Sequence, residues 1–314
     1  MKKTWLFLPI FVIFSLFSSC APAQNGRYTI VGQFDTVIEV IAPDGQKQAE
    51  QYGKQAEALL KTWHKLCDAY HAYDNVTGIY AINHAGGAWV DVERPLFDLL
   101  SFGLSGYEKT DGAVNLVGGA VTKLWKNVSV PPDKEAVMRA LEHIAPENLE
   151  LDEKNLRVRL SDAEAQLDVG AFAKGYALEQ VAKVLEADGF SGVLNATSSV
   201  RCVGDYTAHV GVGDPIKGGY DQVAALCQTA LATSGTNQRY FTYQGKNYHH
   251  IIDFTTGFPS ESGVIQASVV CDDAGLADLY ATAAVINGKS NVPALLYLED
   301  GQTKTVEGWQ DVTK

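Results

Sequence analysis

The chain has 314 residues, of which 46% are hydrophobic and 20% are charged, so it is long and apolar enough to fold around a large core and is not a disordered sequence. Its formal net charge of −12 argues against a surface for nucleic acids or anionic membranes, because such partners would repel the protein at long range. A phosphate-bearing small molecule would need positive charge supplied locally.

The first twenty residues predict an export signal. Two lysines precede an apolar run, residues 5–17, which is too short for a comfortable membrane span and has the length of a signal-peptide core. Small residues then stand directly before Cys20, as in a bacterial lipobox. We therefore expect a lipoprotein signal peptide over residues 1–20, a tether over residues 21–27 and one domain over residues 28–314.

In this interpretation Cys20 is acylated and becomes the mature N-terminus. The protein would then be an exported lipoprotein, anchored to a membrane and facing the periplasm or the cell exterior. An ordinary signal peptide cleaved nearby is the alternative, and it also predicts export.

The first half of the remaining chain predicts strands followed by helices. Alternation of apolar and polar residues over residues 28–42 is typical of strands, and residues 47–73 have helical periodicity. The other elements predicted here are a glycine-containing turn between residues 79–83 and 89–92, helices over residues 95–109 and 131–144, and a hairpin over residues 149–160.

Residues 168–177 join an extended apolar segment to a helix. Gly170 permits a tight turn, and from Ala171 onward apolar positions recur at helical spacing. Free N–H groups and the dipole at such a helix end favour a phosphate, and Lys174 adds a full positive charge within one turn. Asp168, just before the turn, could accept a hydrogen bond from a ligand or cap the helix. The segment thus predicts an anion site, with a capped surface helix and a solvated lysine as the alternative.

The second half alternates again and completes an α+β pattern. Strands are predicted over residues 193–204, 206–212, 222–232 and 240–253, and a helix over residues 276–286. Gly211 and Gly213 begin like a dinucleotide loop, but Ile216 stands where the third glycine is needed, so this stretch is interpreted as a strand and turn.

Four cysteines remain once Cys20 is set aside. Cys67, Cys202, Cys227 and Cys271 are far apart in the sequence and form no CxxC pair. The core is large enough to need no disulfide, although export would permit one. We therefore predict four buried thiols.

Two groups of polar residues in the second half could carry chemistry. Asp278 and Thr282 are four residues apart on the predicted helix, so they share one face and offer hard oxygen ligands suited to Mg²⁺ or Ca²⁺. The alternative is a first-turn aspartate and a threonine that bonds back to its own helix. His249 and His250 are adjacent on a predicted strand, so alternation sends only one of the two rings inward. An inward histidine near a phosphate could serve as a general base, and a structural, hydrogen-bonded histidine is the alternative.

Together these residues resemble the motifs of the ApbE-type FAD:protein FMN transferases. The three strong matches are DVGAFAKGYA at residues 168–177, TSGTNQRYF with YHHIIDFTTGFP at residues 233–241 and 248–259, and ADLYATA at residues 277–283. Weaker matches in FDTVIEV, YDNVTGIYAIN and NLVGGAVTKLW extend the resemblance over nearly all of the chain between residues 34 and 288.

The resemblance implies an ApbE-like α+β fold and an exported, Mg²⁺-dependent enzyme. Such an enzyme cleaves the diphosphate of FAD, transfers FMN to a threonine hydroxyl of an exported acceptor protein, such as a subunit of a redox complex, and releases AMP. By the matching motifs, His250 would deprotonate that threonine. The backbone carbonyl of Ala171 and the side chains of Asp278 and Thr282 would hold the metal. Contacts with FAD are implied for Tyr73, Ala113, Val114, Asn115, Asp168, Lys174 and Ile252.

The chain also departs from the family pattern. Thr197-Ser198-Ser199 stands where a Gly-Gly-Asp is usual, so side chains replace two glycines that would let a ligand or backbone come close. Phe254 replaces a proline, and Asn115 stands where an acidic residue is common. Two other functions therefore remain open, namely hydrolysis of FAD to FMN and AMP and flavin binding without catalysis.

Overall fold

The computed structural model describes residues 25–312. The predicted signal peptide with Cys20, and the tether as far as residue 24, lie outside the described residues. The first strand begins at Gly26, so residues 26 and 27 belong to a strand and not to a free tether. Within the described range, no helix combines the length and the apolar character needed to cross a membrane.

The helices of the described chain vary from one turn to six. They are α1 (Gln46–Cys67), α2 (Ile79–Asn83), α3 (Arg94–Lys109), α4 (Gly119–Trp125), α5 (Lys134–Leu141), α6 (Ala173–Ala187), α7 (Ala274–Asn287) and α8 (Trp309–Val312), with a 3₁₀ turn at Pro146–Asn148.

The strands are mostly short. They are β1 (Gly26–Gln33), β2 (Thr36–Ala42), β3 (Val90–Asp91), β4 (Leu149–Asp152), β5 (Arg157–Leu160), β6 (Gly192–Asn195), β7 (Ser199–Val203), β8 (Thr207–Gly213), β9 (Tyr220–Cys227), β10 (Ala230–Gly235), β11 (Tyr240–Tyr243), β12 (Lys246–His249), β13 (Ile252–Asp253), β14 (Phe258–Pro259), β15 (Val264–Cys271), β16 (Ala294–Leu298) and β17 (Thr303–Thr305).

The centre of the fold is an eight-stranded sheet in the order β1-β2-β6-β7-β10-β15-β16-β17. Every neighbouring pair in it is antiparallel. Alternation along β10 shows how both faces are covered: Ala230 and Ala232 pack with the apolar sides of α1, α6 and α7, whereas Leu231 packs with the β8–β9 hairpin. The predicted α+β class is therefore confirmed.

A further core lies beneath α2, α3 and the small sheet β3-β5-β4. Phe172, Tyr176 and Leu279 connect it to α6 and α7, since all three side chains are buried in this cluster. The turn before α6 is thus held between two cores. This burial makes the predicted site a rigid part of the molecule.

Two predicted helix boundaries were wrong because aspartate side chains bind backbone N–H groups there, at the end of α1 and at the start of α5. Helix α1 ends at Cys67 and not at residue 73, because the carboxylate of Asp68 accepts hydrogen bonds from the N–H groups of Tyr70 and His71 at 2.7 and 3.1 Å. The helix predicted over residues 131–144 begins only at Lys134, where the side chain of Asp133 caps it through the N–H group of Ala136.

Three long strands predicted in the second half are interrupted by turns. Residues 193–204 form β6 and β7 around Thr197, with φ of 64°, and residues 222–232 are divided at Gln228, with φ of 53°. Residues 240–253 form a hairpin that turns at Gln244 and Gly245, both of which have positive φ. Residues 79–83 are a helix, and α4 was not predicted.

The cysteine prediction holds only in part. Cys202 is buried, whereas Cys67 and Cys271 are partly buried and Cys227 is exposed, so a set of four buried thiols was wrong. Cys227 is the last residue of β9, a strand of the β8–β9 hairpin. Its neighbour Leu226 is buried, and strand alternation turns the side chain of Cys227 to the opposite, exposed side.

Candidate functional site

Asp168 holds the turn before α6 against α4. One carboxylate oxygen, Oδ1, accepts a hydrogen bond from the N–H group of Gly170 at 2.8 Å, and the other, Oδ2, accepts one from the hydroxyl of Thr122 at 2.6 Å. The N–H group of Gly119 donates to the carbonyl of Gln166 at 2.9 Å, which aligns the two segments. Asp168 therefore does not cap α6, whose N-cap is Phe172 without a side-chain hydrogen bond, but it holds the turn before the helix, and these contacts fix the orientation of the carboxylate.

A cleft of about 240 Å³ opens beside Asp168. Its walls include Tyr70, Lys123 and His84, so it offers aromatic faces and positive charge together. The ammonium of Lys126 lies 2.8 Å from the centroid of the Tyr70 ring, a cation–π contact. A cleft of this size can accept part of a dinucleotide, such as one ring system with its phosphate.

Lys174 forms an ion pair with Asp278. Its Nζ atom lies 3.1 Å from Oδ2 and 3.2 Å from Oδ1 of the carboxylate, and the two side chains are only 18% and 10% exposed. The hydroxyl of Ser199 contacts both the Nζ of Lys174 and the Oδ1 of Asp278. The N–H group of Gly175 donates to Oδ2 of Asp278 at 2.7 Å. The carboxylate predicted to bind a metal thus faces an ammonium, a hydroxyl and an amide.

Helices α6 and α7 approach closely enough for this pair because of Gly175. A Cβ atom at this position would lie 2.1 Å from the carbonyl oxygen of Ala274 and 2.9 Å from Cγ of Asp278. Glu179, one turn further along α6, accepts hydrogen bonds from Nε of Arg201 at 2.7 Å and from the N–H group of Ala274 at 3.0 Å. The buried Glu179–Arg201 pair therefore fixes where α7 begins relative to α6.

Thr282 and the carbonyl of Ala171 meet at the other end of the same contact. The Thr282 hydroxyl lies 3.4 Å from the carbonyl oxygen of Ala171 and 3.0 Å from the hydroxyl of Ser234. Asp278 lies one turn earlier on the same helix face. The stretch from Ala171 to Gly175 thus runs beside the Asp278–Thr282 face of α7.

The three predicted metal ligands have the chemistry that a hard divalent cation requires. A carboxylate, a hydroxyl and a carbonyl are all oxygen donors, and a cation, the ammonium of Lys174, already contacts the Asp278 carboxylate. Among the residues described, no cluster of three or more His, Cys, Asp and Glu could hold a metal by itself. A metal here would therefore rest on one carboxylate and draw further ligands from a bound diphosphate and water.

The two adjacent histidines have different surroundings. His249 is partly buried, its Nε2 atom lies 3.0 Å from the carbonyl oxygen of Ser260, and its Nδ1 atom accepts from the N–H group of Ile251 at 3.3 Å. Both ring nitrogens are therefore used within the fold. Burial lowers the pKa of His249 below its ordinary value, because the charged ring would lose hydration. His249 is the structural histidine of the pair.

His250 instead offers one ring nitrogen for chemistry. Its Nδ1 atom lies 3.1 Å from the carbonyl oxygen of Arg239, and a carbonyl can only accept, so Nδ1 carries the proton and Nε2 keeps its lone pair. Loss of hydration lowers the pKa of His250, and the nearby positive charge of Arg239 adds to this effect. His250 as a residue is exposed, whereas His249 is partly buried. It is thus neutral at neutral pH and suited to accept a proton.

Three of the other predicted flavin contacts, Ala113, Val114 and Asn115, are buried in the protein. The amide of Asn115 donates to the carbonyl of Ile144 at 2.8 Å and accepts from the N–H group of Val117 at 2.9 Å, so its side chain is engaged in the loop before α4. Ala113 and Val114 are buried in the core beneath α3. Their contact with a flavin stays a prediction.

Ile252 and Tyr73 occupy two further places. Ile252 is buried against Val121 and Trp125, which joins the segment after His250 to α4. The hydroxyl of Tyr73 donates to Oδ2 of Asp68 at 2.8 Å, and burial with this hydrogen bond raises the pKa of the phenol to about 12. Neither residue lines the cleft beside Asp168.

Sequence reasoning missed three polar residues of the site. Thr122 and Ser234 contact Asp168 and Thr282 across 46 and 48 residues of sequence, and Ser199 contacts Asp278 across 79. In the sequence, Ser199 stands out only as a departure from the family pattern. A hydroxyl gives no local signal of a partner so far away, so the sequence alone does not assign these three residues to the site.

Comparison with known proteins places the chain in one family. The ApbE family model matches residues 34–306. The chain is 32% identical over 249 residues to an FAD:protein FMN transferase of Treponema pallidum, covering 70% of this chain and 67% of that protein. It is 30% identical over 231 residues to an FAD:protein FMN transferase of Klebsiella pneumoniae, covering 71% and 72%. The crystal structure of the ApbE protein of Thermotoga maritima superposes with a TM-score of 0.84 at 26% identity, covering 93% of this chain and 100% of that one. The predicted ApbE-like fold is confirmed.

Proposed function

This chain belongs to the ApbE family and is an FAD:protein FMN transferase. We propose that it uses Mg²⁺ to join FMN to a threonine hydroxyl of an exported acceptor protein and that it releases AMP. One observation carries the proposal. The turn before α6 lies along α7 so that the carbonyl of Ala171, the hydroxyl of Thr282 and the carboxylate of Asp278 share one face, with Lys174 beside them.

This group of residues suits the diphosphate of FAD. Asp278, Thr282 and the carbonyl of Ala171 would hold Mg²⁺, which supplies charge neutralisation as AMP departs. The N-terminus of α6 favours negative charge through its dipole. Lys174 adds a positive side chain from the first turn of the same helix. An acidic protein thereby provides a positive environment where its substrate needs one.

His250 supports the transfer step. The threonine oxygen forms a bond to the phosphorus of the FMN group, the bond from that phosphorus to the AMP oxygen breaks, and the threonine proton passes to Nε2 of His250. The hydrogen bond from Nδ1 to the carbonyl of Arg239 holds the ring in the tautomer that this step requires. Because a threonine hydroxyl competes with abundant water, the acceptor must be held in line with the phosphorus.

The decisive experiment mixes the purified protein with FAD, Mg²⁺ and a threonine-bearing candidate acceptor, and then looks for flavin fluorescence on the denatured acceptor. Fluorescence that survives denaturation, and is absent when the acceptor threonine is replaced by valine, supports the proposal. Free FMN without a labelled acceptor would instead indicate hydrolysis of FAD. Unchanged FAD would indicate a flavin-binding protein without catalysis.

A substitution tests the metal ligands. Asp278→Ala should abolish transfer, because it removes the only carboxylate of the proposed Mg²⁺ set. Asp98→Ala is a matched control, since this aspartate lies on the exposed side of α3 and pairs only at the surface with Arg94. Full activity in the Asp278→Ala protein would contradict the metal assignment.

Export is the remaining part of the proposal. The signal-like residues 1–20 support an acceptor that is itself exported, and the small residues before Cys20 support a lipid anchor on that cysteine. Metabolic labelling with a radioactive fatty acid should mark the unmodified protein and not the Cys20→Ala variant. Labelling of both would contradict the anchor, while the transferase proposal would stand.

A further inference from the structure

The proposed metal ligand Asp278 already has a positively charged neighbour within the protein. Lys174 contacts both carboxylate oxygens, at 3.1 and 3.2 Å, and the pair is largely shielded from solvent. Asp278 and Lys174 carry opposite unit charges, so the two cancel. A divalent cation that approaches Asp278 alone therefore meets a neutral pair and not an uncompensated carboxylate.

Ser199 holds this pair in one arrangement. Its hydroxyl accepts from the ammonium of Lys174 and donates its single proton to Oδ1 of Asp278, so the three groups form a closed set of hydrogen bonds. The side chain is buried, with 1% of the residue exposed. Ser199 is the first residue of β7, and the pairing of this strand with β6 and β10 fixes the position of Ser199 beneath α6 and α7.

The identity of residue 199 sets the charge of this cluster. The family pattern usually has an aspartate here, as noted above, and this chain has a serine. A carboxylate at position 199 would compete with Asp278 for the Lys174 ammonium and would add one negative charge. A hydroxyl does neither, because it is neutral and bridges the two residues.

We propose that Ser199 is a positioning residue that keeps Lys174 on Asp278 while no FAD is bound, and that Mg²⁺ therefore binds tightly only together with FAD. The negative diphosphate draws the ammonium of Lys174 to itself, and the carboxylate of Asp278 becomes available to the metal. Metal and FAD thus bind with positive coupling. This inference rests on the proposed function, since it concerns the same metal ligands.

The test measures metal binding to the protein without FAD. Mn²⁺ serves as the probe, because it prefers the same oxygen ligands as Mg²⁺ and the free ion can be counted by electron paramagnetic resonance. Ser199→Asp and Lys174→Met should each tighten Mn²⁺ binding by roughly tenfold or more, since each leaves the cluster one unit more negative. Both are gains of affinity, which a damaged fold does not produce.

Two matched controls accompany these variants. Ser199→Asn has nearly the size of the aspartate variant but adds no charge, so it should not tighten Mn²⁺ binding. Lys183→Met removes a lysine from the same helix that pairs with Glu179 and Asp273 at 3.7 and 3.8 Å, and it should leave Mn²⁺ affinity unchanged.

The outcomes separate this inference from the proposed function. If Mn²⁺ binds the unmodified protein with FAD present, and Ser199→Asp and Lys174→Met bind it without FAD no better than the unmodified protein, the inference is overturned and the proposed metal site stands. Equal tightening by Ser199→Asn would also overturn it. If the unmodified protein fails to bind Mn²⁺ even with FAD, the proposed metal dependence fails and the inference fails with it.

Discussion

Nδ1 of His250 lies 3.1 Å from the backbone carbonyl oxygen of Arg239, and this contact determines which ring nitrogen carries the proton. Nε2 is left as the basic atom. Replacing His250 with Gln should lower FMN transfer by about 10²- to 10⁴-fold, the usual contribution of a general base. The check is the rate of flavin transfer at saturating FAD, with His209→Gln, an exposed histidine on β8, as the unchanged control.

The pH dependence of transfer gives a second measure of the same group. Burial lowers the pKa of His250 below its ordinary value of 6.5, so the neutral base is present above that lowered value and is lost as the pH falls through it. The acid limb of kcat/KM should therefore lie below about pH 6.5. An acid limb above this value, or one that persists unchanged in His250→Gln, would argue against the assignment.

Gly175 allows α6 and α7 to touch, so the site should be sensitive to a single methyl group there. Gly175→Ala would place Cβ 2.1 Å from the carbonyl oxygen of Ala274, which forces the helices apart. We expect a loss of about 1–3 kcal/mol in the free energy of unfolding, as for other overpacked cores, together with loss of transfer activity. Urea unfolding followed by circular dichroism measures the first effect.

Gly213 is the control for this substitution. A Cβ atom at Gly213 would meet only the carbonyl oxygen of Gly219, at 3.8 Å, which is ordinary contact. Gly213→Ala should therefore leave stability nearly unchanged. Equal stability of the Gly175→Ala and Gly213→Ala proteins would contradict the close packing of α6 and α7.

The parts of the site with local signals could be predicted from the sequence. Gly170 and the helical periodicity after it predict α6, which begins at Ala173 and not at Ala171, and Gly288, with a φ of 68°, marks the end of α7. The motifs placed Asp168, Lys174 and Asp278 on the correct elements. The motifs could not show that Lys174 and Asp278 pair with each other. These residues are 104 positions apart in the sequence, and their contact depends on how α6 and α7 pack.

The interrupted strands show a different limit. Thr197 and Gln228 turn the chain at positive φ, although neither is a glycine. Thr197 stands in the polar run Asn195-Ala196-Thr197-Ser198-Ser199, which is a turn signal, whereas Gln228 has neither glycine nor proline beside it and gives no such signal. The packing of the strands decides each turn: at Thr197 the chain reverses so that β7 pairs with β6, and at Gln228 it passes from the β8–β9 hairpin to β10 of the eight-stranded sheet.

Thr197 itself leads to a prediction about stability. A φ of 64° is unfavourable for a β-branched residue and costs about 1–2 kcal/mol relative to an ordinary conformation. Glycine removes that strain and gives back roughly 0.5–1 kcal/mol through greater freedom of the unfolded chain. Glycine also loses the Thr197 hydroxyl with its exposed hydrogen bonds, so Thr197→Gly should stay within about 1 kcal/mol of the unmodified protein in urea unfolding.

Thr197→Val is the matched variant, because it loses the same hydroxyl as Thr197→Gly but keeps the backbone strain. Valine keeps the strain, and it loses the hydroxyl, which donates to the carbonyl of Val37 at 3.3 Å and lies 3.3 Å from the hydroxyl of Thr36. This variant should be less stable than the unmodified protein. A glycine variant no more stable than the valine variant would show that backbone strain at residue 197 is not what limits stability there.

His249 should make stability depend on pH in a definite direction. Burial lowers its pKa in the folded protein, despite the nearby carboxylates Glu299 and Glu261, whereas the unfolded chain keeps the ordinary value of 6.5. Below pH 6.5, His249 is therefore protonated in the unfolded state while it stays neutral in the folded state. The contribution of His249 is fully present above that pH and is lost as the pH falls toward the lowered pKa.

His249→Asn isolates this effect. His143 has a raised pKa beside Asp162 and acts in the opposite direction, and His250 has a lowered pKa and acts in the same direction, so the overall slope mixes all three groups. The difference between the two proteins cancels His143 and His250, because they are common to both. Between about pH 7.5 and about pH 5, the urea midpoint of the unmodified protein should fall more steeply than that of His249→Asn. Parallel slopes would mean that the protonated ring is accommodated in the fold, which the hydrogen bond from the N–H group of Ile251 to Nδ1 opposes.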